Sequence, residues 1–164
     1  MDQLNGKTVC FTGHRIIPAG EKDAVTAKLD VIIERCVEKG YGRFVAGGAL
    51  GFDKLAADRV IAFRKAGRPV TLCLVLPCRD QTKLWKSLPD INEYRKMKEE
   101  ADEIIYVQEF YDSKCMMKRN RMMVDMSSLC IAYFDGRSGG TSNTVKYANE
   151  VGVSVVNLSS KVSE

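Results

Sequence analysis

The sequence has little of what would indicate a metal-binding, secreted or membrane protein. Of its 164 residues one is histidine, and its six cysteines include no C-x-x-C pair, so no zinc site is expected. Several cysteines lie within apolar runs, where a free thiol behaves as a small hydrophobic group, and reduced thiols indicate a cytoplasmic protein. No basic start followed by an apolar stretch opens the sequence, and no apolar run approaches the roughly 18 residues that span a bilayer. We therefore expect no metal, no resident cofactor and no membrane partner.

Charge and composition set weaker limits. The net charge of +4 permits anionic ligands but is too small to indicate nucleic-acid binding by itself. The hydrophobic fraction of 45% and the charged fraction of 28% are ordinary for a globular protein. No linker, repeat or low-complexity stretch divides the chain, so we predict a single domain over residues 1–164.

Short apolar runs alternate with segments of helical periodicity along the chain. The apolar runs predict strands at residues 8–12, 43–46, 69–76, 103–107, 129–134 and 153–158. The periodic segments predict helices at residues 21–39, 54–66, 81–100 with an interruption at Pro89, 115–126 and 143–151. This alternation predicts an α/β fold, namely a single doubly wound, Rossmann-like domain with a mainly parallel sheet of about six strands and helices on both faces.

Glycine clusters follow three of the predicted strands, and each cluster precedes a predicted helix. In a doubly wound sheet all three clusters lie at the carboxyl edge, where ligands bind. Backbone N–H groups at such junctions, together with the helix dipole, favour an anion such as a phosphate. The candidate ligand-binding residues are Gly13, His14 and Arg15 after the first strand, Gly47, Gly48, Gly51 and Asp53 after the second, and Gly139, Gly140 and Thr141 after the fifth.

Each junction also has a purely structural interpretation. The first could be a tight turn with a solvated histidine and arginine, and the third could be a flexible surface loop. The second matches neither the dinucleotide fingerprint G-x-G-x-x-G nor a P-loop, yet a plain turn seldom needs three glycines within five residues. We therefore favour a ligand-binding role for the second junction, and the start of a helix after the third favours an anion there as well.

Two later segments offer further candidates. On the predicted helix over residues 115–126, Arg119 or Asn120 could reach the ligand, while its methionines predict a soft apolar face that suits core packing or a homodimer interface. Gln81 and Trp85 are four residues apart, which places them on one face of the predicted third helix. Trp85 is the single tryptophan. Core packing is the commoner role for such a residue, and stacking against a nucleobase is the alternative.

Four motifs, taken together, resemble the YpsA-like family of the SLOG superfamily, which also includes the DNA-processing protein DprA/Smf and the LOG phosphoribohydrolases. The motifs are Phe11-Thr-Gly-His-Arg15, Gly47-Gly-Ala-Leu-Gly-Phe-Asp53, Pro77-x-x-x-Gln81-x-x-x-Trp85 and Arg119-Asn120. The resemblance covers nearly the whole chain. It implies a Rossmann-like sheet that binds a nucleotide or nucleotide-derived ligand, ADP-ribose-like or a nucleoside phosphate, as a cytoplasmic sensor. It also favours the stacking role of Trp85.

The resemblance also bears on catalysis. LOG enzymes carry a Pro-Gly-Gly-x-Gly-Thr-x-x-Glu motif whose glutamate helps cleave an N-glycosidic bond, and alignment on Gly140 and Thr141 puts Thr144 in its place. Loss of this acid removes the main charge stabiliser of hydrolysis, so we expect a binding protein rather than an enzyme. Two alternatives stay open. One is an N-glycosidase that acts on nucleoside monophosphates, with His14 as its candidate acid–base group. The other is a DprA-like binder of single-stranded DNA, which the modest charge makes less expected.

Overall fold

The computed structural model describes residues 7–83 and 85–159, which form six strands and five α-helices in alternation. The strands are β1 (Thr8–Gly13), β2 (Arg43–Ala46), β3 (Thr71–Cys78), β4 (Glu103–Gln108), β5 (Leu129–Tyr133) and β6 (Ser154–Asn157). The helices are α1 (Lys22–Glu38), α2 (Phe52–Lys65), α3 (Leu88–Glu100), α4 (Cys115–Asp125) and α5 (Gly140–Glu150), with a 3-10 turn at Ala19–Glu21. The predicted α/β class is confirmed.

The six strands form one parallel sheet in the order β4-β3-β2-β1-β5-β6. From β1 the chain moves outward to β4 and then returns to place β5 on the other side of β1. The strand order therefore reverses between β1 and β5, where Val9 pairs with Leu129 and Gly13 with Tyr133. Doubly wound sheets bind ligands outside the carboxyl ends of their strands at this point of reversal.

Alternate residues of the central strands face two separate cores. Val9 and Phe11 of β1 face the core that α1, α2 and α3 cover, whereas Cys10 faces the core that α4 and α5 cover. Helix α1 closes the first core with Leu29 and Ile33, which are fully buried. Helices thus lie on both faces of the sheet, which confirms the doubly wound, Rossmann-like arrangement.

The predicted third helix is wrong in its first part. Helix α3 begins at Leu88, directly after Ser87, whose hydroxyl accepts a hydrogen bond from the N–H of Asp90 at 3.3 Å. Pro89 lies in the first turn, where a missing N–H costs no hydrogen bond. The proline therefore starts the helix instead of interrupting it.

Gln81 and Trp85 precede this helix and do not share a helix face. They lie in a turn in which the N–H of Trp85 donates to the carbonyl oxygen of Thr82 at 3.0 Å. The helix prediction also included Leu84, which lies outside the described residues. Only the tertiary structure therefore decides how Gln81 and Trp85 are placed.

Several other boundaries differ from the prediction by one to three residues, and two of these shifts lie beside the carboxyl edge of the sheet. Helix α5 begins at Gly140 rather than at residue 143, because the glycine-rich turn itself supplies the first helical residues. Strand β3 continues through Pro77, since Leu76 and Cys78 on either side of it hold the register with β4. Both shifts bring the end of an element, the start of α5 or the end of β3, closer to the carboxyl edge of the sheet.

Candidate functional site

A cavity of about 690 Å³ opens at the carboxyl edge of the sheet, where the strand order reverses. Its volume is in the range of small-molecule binding sites. The residues predicted from the sequence that line it are Gly13, His14, Arg15, Asp53, Gln81, Trp85, Arg119, Asn120, Gly139, Gly140 and Thr141. The structure therefore brings together side chains from all three glycine junctions and from both later segments.

Gly47, Gly48 and Gly51 do not line this cavity. Each of them instead permits a close approach between segments of the chain. At Gly51, where φ is +78°, an added Cβ would lie 2.1 Å from the backbone oxygen of Arg15. At Gly48, where φ is +73°, it would lie 2.4 Å from Cδ2 of Leu76. The three glycines thus allow the second junction to pack against its neighbours, and their predicted ligand contacts do not follow from this placement.

Asp53 and Arg119 both lie against Gly47, on the side where a Cβ would be, and both line the cavity. A Cβ on Gly47 would be 2.8 Å from Oδ2 of Asp53 and 2.6 Å from Nη1 of Arg119. Position 47 therefore does not tolerate a side chain while both of these groups stay in place. Asp53 is 7% exposed and Arg119 is 3% exposed. An aspartate and an arginine from distant parts of the chain therefore share one buried site.

Burial dominates the electrostatics of this site. It raises the pKa of Asp53 to about 6, although the Arg119 charge and hydrogen bonds from the backbone N–H groups of Ala49 and Gly47 act in the opposite direction. Burial also lowers the pKa of Arg119, while the Asp53 charge raises it. In both side chains the desolvation of the charge outweighs the attraction between the partners.

Two hydrogen bonds orient the guanidinium of Arg119. Its Nε donates to Oδ1 of Asn120 at 2.7 Å, and its Nη1 donates to the backbone oxygen of Gly47. Among the described residues, Nη2 has only a weak hydrogen-bond contact, with the sulfur of Met116 at 4.0 Å. This nitrogen is therefore able to donate to an anion that enters the cavity.

Asp135, which lies just after β5, orients His14, which lies just after β1. Nε2 of His14 lies 2.9 Å from Oδ1 and 3.1 Å from the backbone nitrogen of Asp135. The Arg137 side chain bonds the same carboxylate at 2.7 Å, and this bond, with a smaller contribution from His14, lowers the pKa of Asp135 to about 2. The imidazole ring also packs edge-on to Tyr133, with 5.9 Å between ring centroids. The structure thus presents an oriented histidine at the cavity wall.

The amino end of α5 opens into the cavity through Gly139, Gly140 and Thr141. Within the described residues no side chain caps this end, so the N–H groups of the first turn remain available to an anion. Thr144 lies one turn further on and is buried, and its hydroxyl donates to the backbone oxygen of Gly140 at 2.9 Å. Thr144 does not line the cavity.

Another wall of the cavity comes from the turn that contains Gln81 and Trp85. The Oε1 atom of Gln81 is buried and has no hydrogen-bond partner in the part of the chain that the structure describes. Trp85 packs edge-on against Tyr94, with 5.4 Å between ring centroids, and it also lines the cavity. Trp85 therefore contacts both the core and the cavity. Core packing, which the sequence offered as one alternative, leaves the ring within reach of a ligand.

Sequence reasoning missed several residues of the cavity. They are Phe11, Thr12, Ala49, Asp80, Lys83, Tyr111, Met116 and Ser138. Asp80 and Lys83 adjoin Gln81, so a wider reading of that motif would have found them. Tyr111 carries no local signal. Its N–H donates to Oδ1 of Asp80 at 2.9 Å, a contact between residues 31 positions apart that only the fold creates.

Comparison with known proteins agrees with the motifs. The model of the family described as "YspA SLOG family" (YpsA) matches residues 18–153, which is most of the chain. The chain belongs to this YpsA SLOG family. It is also 33% identical over 141 residues to the uncharacterized SPbeta prophage-derived protein YoqJ of Bacillus subtilis (strain 168), a match that covers 79% of this chain and 80% of that protein. The family predicted from the sequence is confirmed.

Solved structures share the fold of this YpsA SLOG member. DNA processing protein A from Helicobacter pylori, whose structure concerns its single-stranded DNA binding mode, gives a TM-score of 0.67 at 18% identity over 95% of this chain and 67% of its own. DprA from Streptococcus pneumoniae gives 0.68 at 17% identity, and this chain spans 51% of it. The structural-genomics target TM1055 gives 0.62 at 18% identity, with 95% of this chain and 76% of its own covered. At these identities the likeness shows the fold alone.

The described residues also bear on a membrane span and on a metal site. Within residues 7–83 and 85–159, no helix has both the length and the apolar character needed to cross a membrane. In the same ranges, no three or more His, Cys, Asp or Glu side chains group together as metal ligands would. The single domain, the cytoplasmic location and the lack of a resident metal or cofactor stay predictions.

Proposed function

We propose that this chain binds a nucleotide or a nucleotide-derived ligand, ADP-ribose-like or a nucleoside phosphate, in the cavity at the carboxyl edge of the sheet, as a sensor or regulatory protein. The observation that carries the proposal is that two anion-binding groups line one cavity. They are the uncapped amino end of α5 and the buried guanidinium of Arg119. Both groups favour a ligand that carries phosphate.

The phosphate end of the ligand would lie against the first and third junctions. Gly140 lines the cavity without a side chain, and a Cβ there would meet only Nδ2 of Asn120 at 4.0 Å, so the backbone at this position can approach a phosphate closely. Arg15 lines the same cavity, is exposed, and forms no ion pair within the described residues. Its guanidinium is therefore free to bind the second phosphate of a diphosphate ligand.

The base end of the ligand would lie against the turn with Gln81 and Trp85. An indole beside the cavity offers a flat surface for stacking, and the unpaired amide of Gln81 offers a hydrogen bond to a base edge. A buried polar atom without a partner costs free energy, which a bound ligand would recover. This pairing of an aromatic face with an amide favours a nucleobase over a simple phosphate.

Binding without cleavage is the form of the proposal that the geometry supports. Thr144 stands at the position of the LOG glutamate. Its hydroxyl donates a hydrogen bond to the backbone of α5, and the residue does not line the cavity. The oriented pair of His14 and Asp135 is the acid–base group that an alternative N-glycosidase would use. Release of free base from a nucleoside monophosphate, abolished by His14→Ala, would establish that alternative.

The main test is thermal stabilisation by a panel that contains AMP, other nucleoside monophosphates, ADP-ribose and a short single strand of DNA. The strand is included because solved relatives of this fold are DprA proteins. At a ligand concentration of 100 times Kd, binding adds about 2.7 kcal/mol to the free energy of unfolding. For a chain of this size, the melting temperature should rise by roughly 5–10 °C. No shift with any member of the panel would contradict the proposal.

Filling the cavity should remove this stabilisation. A Cβ at Gly140 meets only Nδ2 of Asn120, at 4.0 Å, so Gly140→Leu should fold and place its side chain in the cavity. We expect the ligand-dependent shift to fall below detection in this variant. Gly20→Leu is the matched control, because a Cβ there meets nothing within 4 Å and Gly20 does not line the cavity. A shift that persists in Gly140→Leu would place the ligand elsewhere.

Trp85 provides an independent signal of binding, because it is the single tryptophan of the chain and lines the cavity. Titration with a stabilising nucleotide should change the intrinsic tryptophan fluorescence with the Kd that calorimetry gives. Trp85→Phe should lose the fluorescence signal and keep a calorimetric signal, weakened by about 10-fold if stacking contributes ~1–2 kcal/mol. Calorimetric binding to the unaltered chain with no change in fluorescence would mean that the nucleobase does not contact Trp85.

A further inference from the structure

A second cavity of about 390 Å³ lies between α4 and α5, and we call it the α4–α5 groove. It shares Met116, Asn120 and Gly140 with the first cavity, so the two spaces meet at the amino ends of both helices. Its other lining residues do not line the first cavity. Its continuity with the first cavity makes it accessible to a ligand that extends past Gly140.

The groove carries two cations without acidic partners. Arg121 and Lys146 line it, both are exposed, and neither forms an ion pair within the described residues. The guanidinium of Arg121 lies over the ring of Tyr147, 5.0 Å from its centroid. Asp125, one turn further along α4, accepts a hydrogen bond from the Tyr147 hydroxyl at 2.7 Å instead of pairing with Arg121. The stacked guanidinium keeps its N–H edge free for an anion.

These cations differ from several arginines on the other face of the sheet. Arg59 pairs with Asp30 at 2.7 Å, and Arg64 pairs with Asp102 at 2.7 Å. Such pairing neutralises the charge of α2 locally. The two cations of the groove keep their full charge toward whatever occupies it.

The position of the cations defines how long a ligand must be to reach them. Lys146 follows Gly140 by six residues, which is about 9 Å along the axis of α5. Glu150 lines the groove four residues beyond Lys146, so its carboxylate disfavours an anion at the far end. The anion subsite is therefore the part of the groove that reaches from Gly140 to Lys146 and stops short of Glu150, one ligand unit away from the phosphate held in the first cavity.

We propose that the α4–α5 groove is a second phosphate subsite and that the ligand is a linear nucleotide with a further phosphorylated nucleoside unit. The inference rests on the proposed function, because the first unit has to occupy the first cavity. Two sources have this chemistry, namely a free dinucleotide and the phosphorylated end of an oligonucleotide strand. Arg121 and Lys146 bind the second phosphate, and the apolar surface of Met117 contacts the second nucleoside.

The test compares the affinities of AMP and the linear dinucleotide pApA by calorimetry. We expect pApA to bind the unaltered chain about 10-fold more tightly than AMP, as two cations on one phosphate would give. In the groove variant Arg121→Gln/Lys146→Gln this ratio should fall to about 1. The control variant Arg35→Gln/Lys39→Gln removes the same charge from the end of α1, which lies away from the groove, and should keep the ratio.

Three results would overturn the inference. Equal affinities for AMP and pApA would remove the second subsite but leave the proposed function intact. A ratio that survives in the groove variant would place the second phosphate elsewhere. A dimer in sedimentation that Met117→Glu dissociates would show that a second copy of the chain covers the groove, where Met117 is 49% exposed. By contrast, failure of AMP, ADP-ribose and pApA all to bind would contradict the proposed function itself.

A further arm separates the two sources of the ligand. A ten-nucleotide single strand with the same 5′-phosphorylated pair is titrated beside pApA. Equal affinities would support a free dinucleotide, because every nucleotide of the strand beyond the first two would then be solvated. Tighter binding of the strand, lost in the groove variant, would support a strand end and would contradict the expectation that nucleic acid is not a partner.

Discussion

Gly51→Ala is expected to lower the free energy of unfolding by about 3–4 kcal/mol, a large fraction of the roughly 5–15 kcal/mol that is usual for a folded domain. An alanine at this position would have its Cβ 2.1 Å from the backbone oxygen of Arg15, and neither backbone can move without separating the first and second junctions. The φ of +78° and ψ of −125° add strain of their own for any residue with a Cβ. Thermal unfolding should show a decrease of roughly 6–12 °C in melting temperature.

Gly67→Ala is the matched control for this prediction. Gly67 also has a positive φ, of +90°, but a Cβ there meets nothing within 4 Å. This variant should lose only about 1 kcal/mol, the usual cost of a positive φ for alanine. Equal losses in the two variants would mean that backbone conformation, and not the contact with Arg15, makes Gly51 necessary.

Arg119→Met is expected to destabilise the fold by about 2–3 kcal/mol at pH 8, because it removes the nearby charge that lowers the pKa of the buried Asp53 carboxylate. It also removes the hydrogen bond that the backbone oxygen of Gly47 accepts. Methionine has a similar length and no charge, so packing in the site is largely kept. Denaturant unfolding at fixed pH measures the loss.

The loss caused by Arg119→Met should depend on pH, and its sign follows from Asp53. In the folded state, the pKa of Asp53 is raised to about 6, above the ordinary value of about 3.9 for an unfolded chain. The folded state therefore binds this proton more readily, so the contribution of Asp53 to stability grows as the pH falls through 6 and is lost as the pH rises. Without Arg119 the pKa of Asp53 rises further, so the variant should recover part of its stability at pH 5.

The double variant Arg119→Met/Asp53→Asn completes the experiment. An asparagine can still accept hydrogen bonds from the N–H groups of Ala49 and Gly47, but it carries no charge to be left unpaired. At pH 8 the double variant should be more stable than Arg119→Met alone, and its stability should change less with pH. A loss in Arg119→Met that is the same at pH 5 and pH 8 would mean that the two side chains are not coupled through charge.

Much of the fold follows from patterns that are local in the sequence. The apolar runs around Val9 and Phe44 and the helical stripe of Val25, Leu29 and Ile33 specify their own secondary structure, because each segment can bury its apolar side in only one regular conformation. The start of α3 was misread from composition, although Ser87 and Pro89 carry the usual signals of a helix start. The N-cap at Ser87, and not the helix propensity of residues 81–87, decides where α3 begins.

The sequence by itself determined the alternation of strands and helices, the parallel sheet, the family, and the three glycine junctions at one edge of the sheet. The tertiary structure decided what each junction does: Gly13, Gly48 and Gly51 accommodate neighbouring chain, while Gly140 lines the cavity with little in contact with its missing side chain. It also brought Asp53 to Arg119 and His14 to Asp135. Contacts between residues so far apart depend on strand order and on close approach in space, and neither is written in any local pattern of residues.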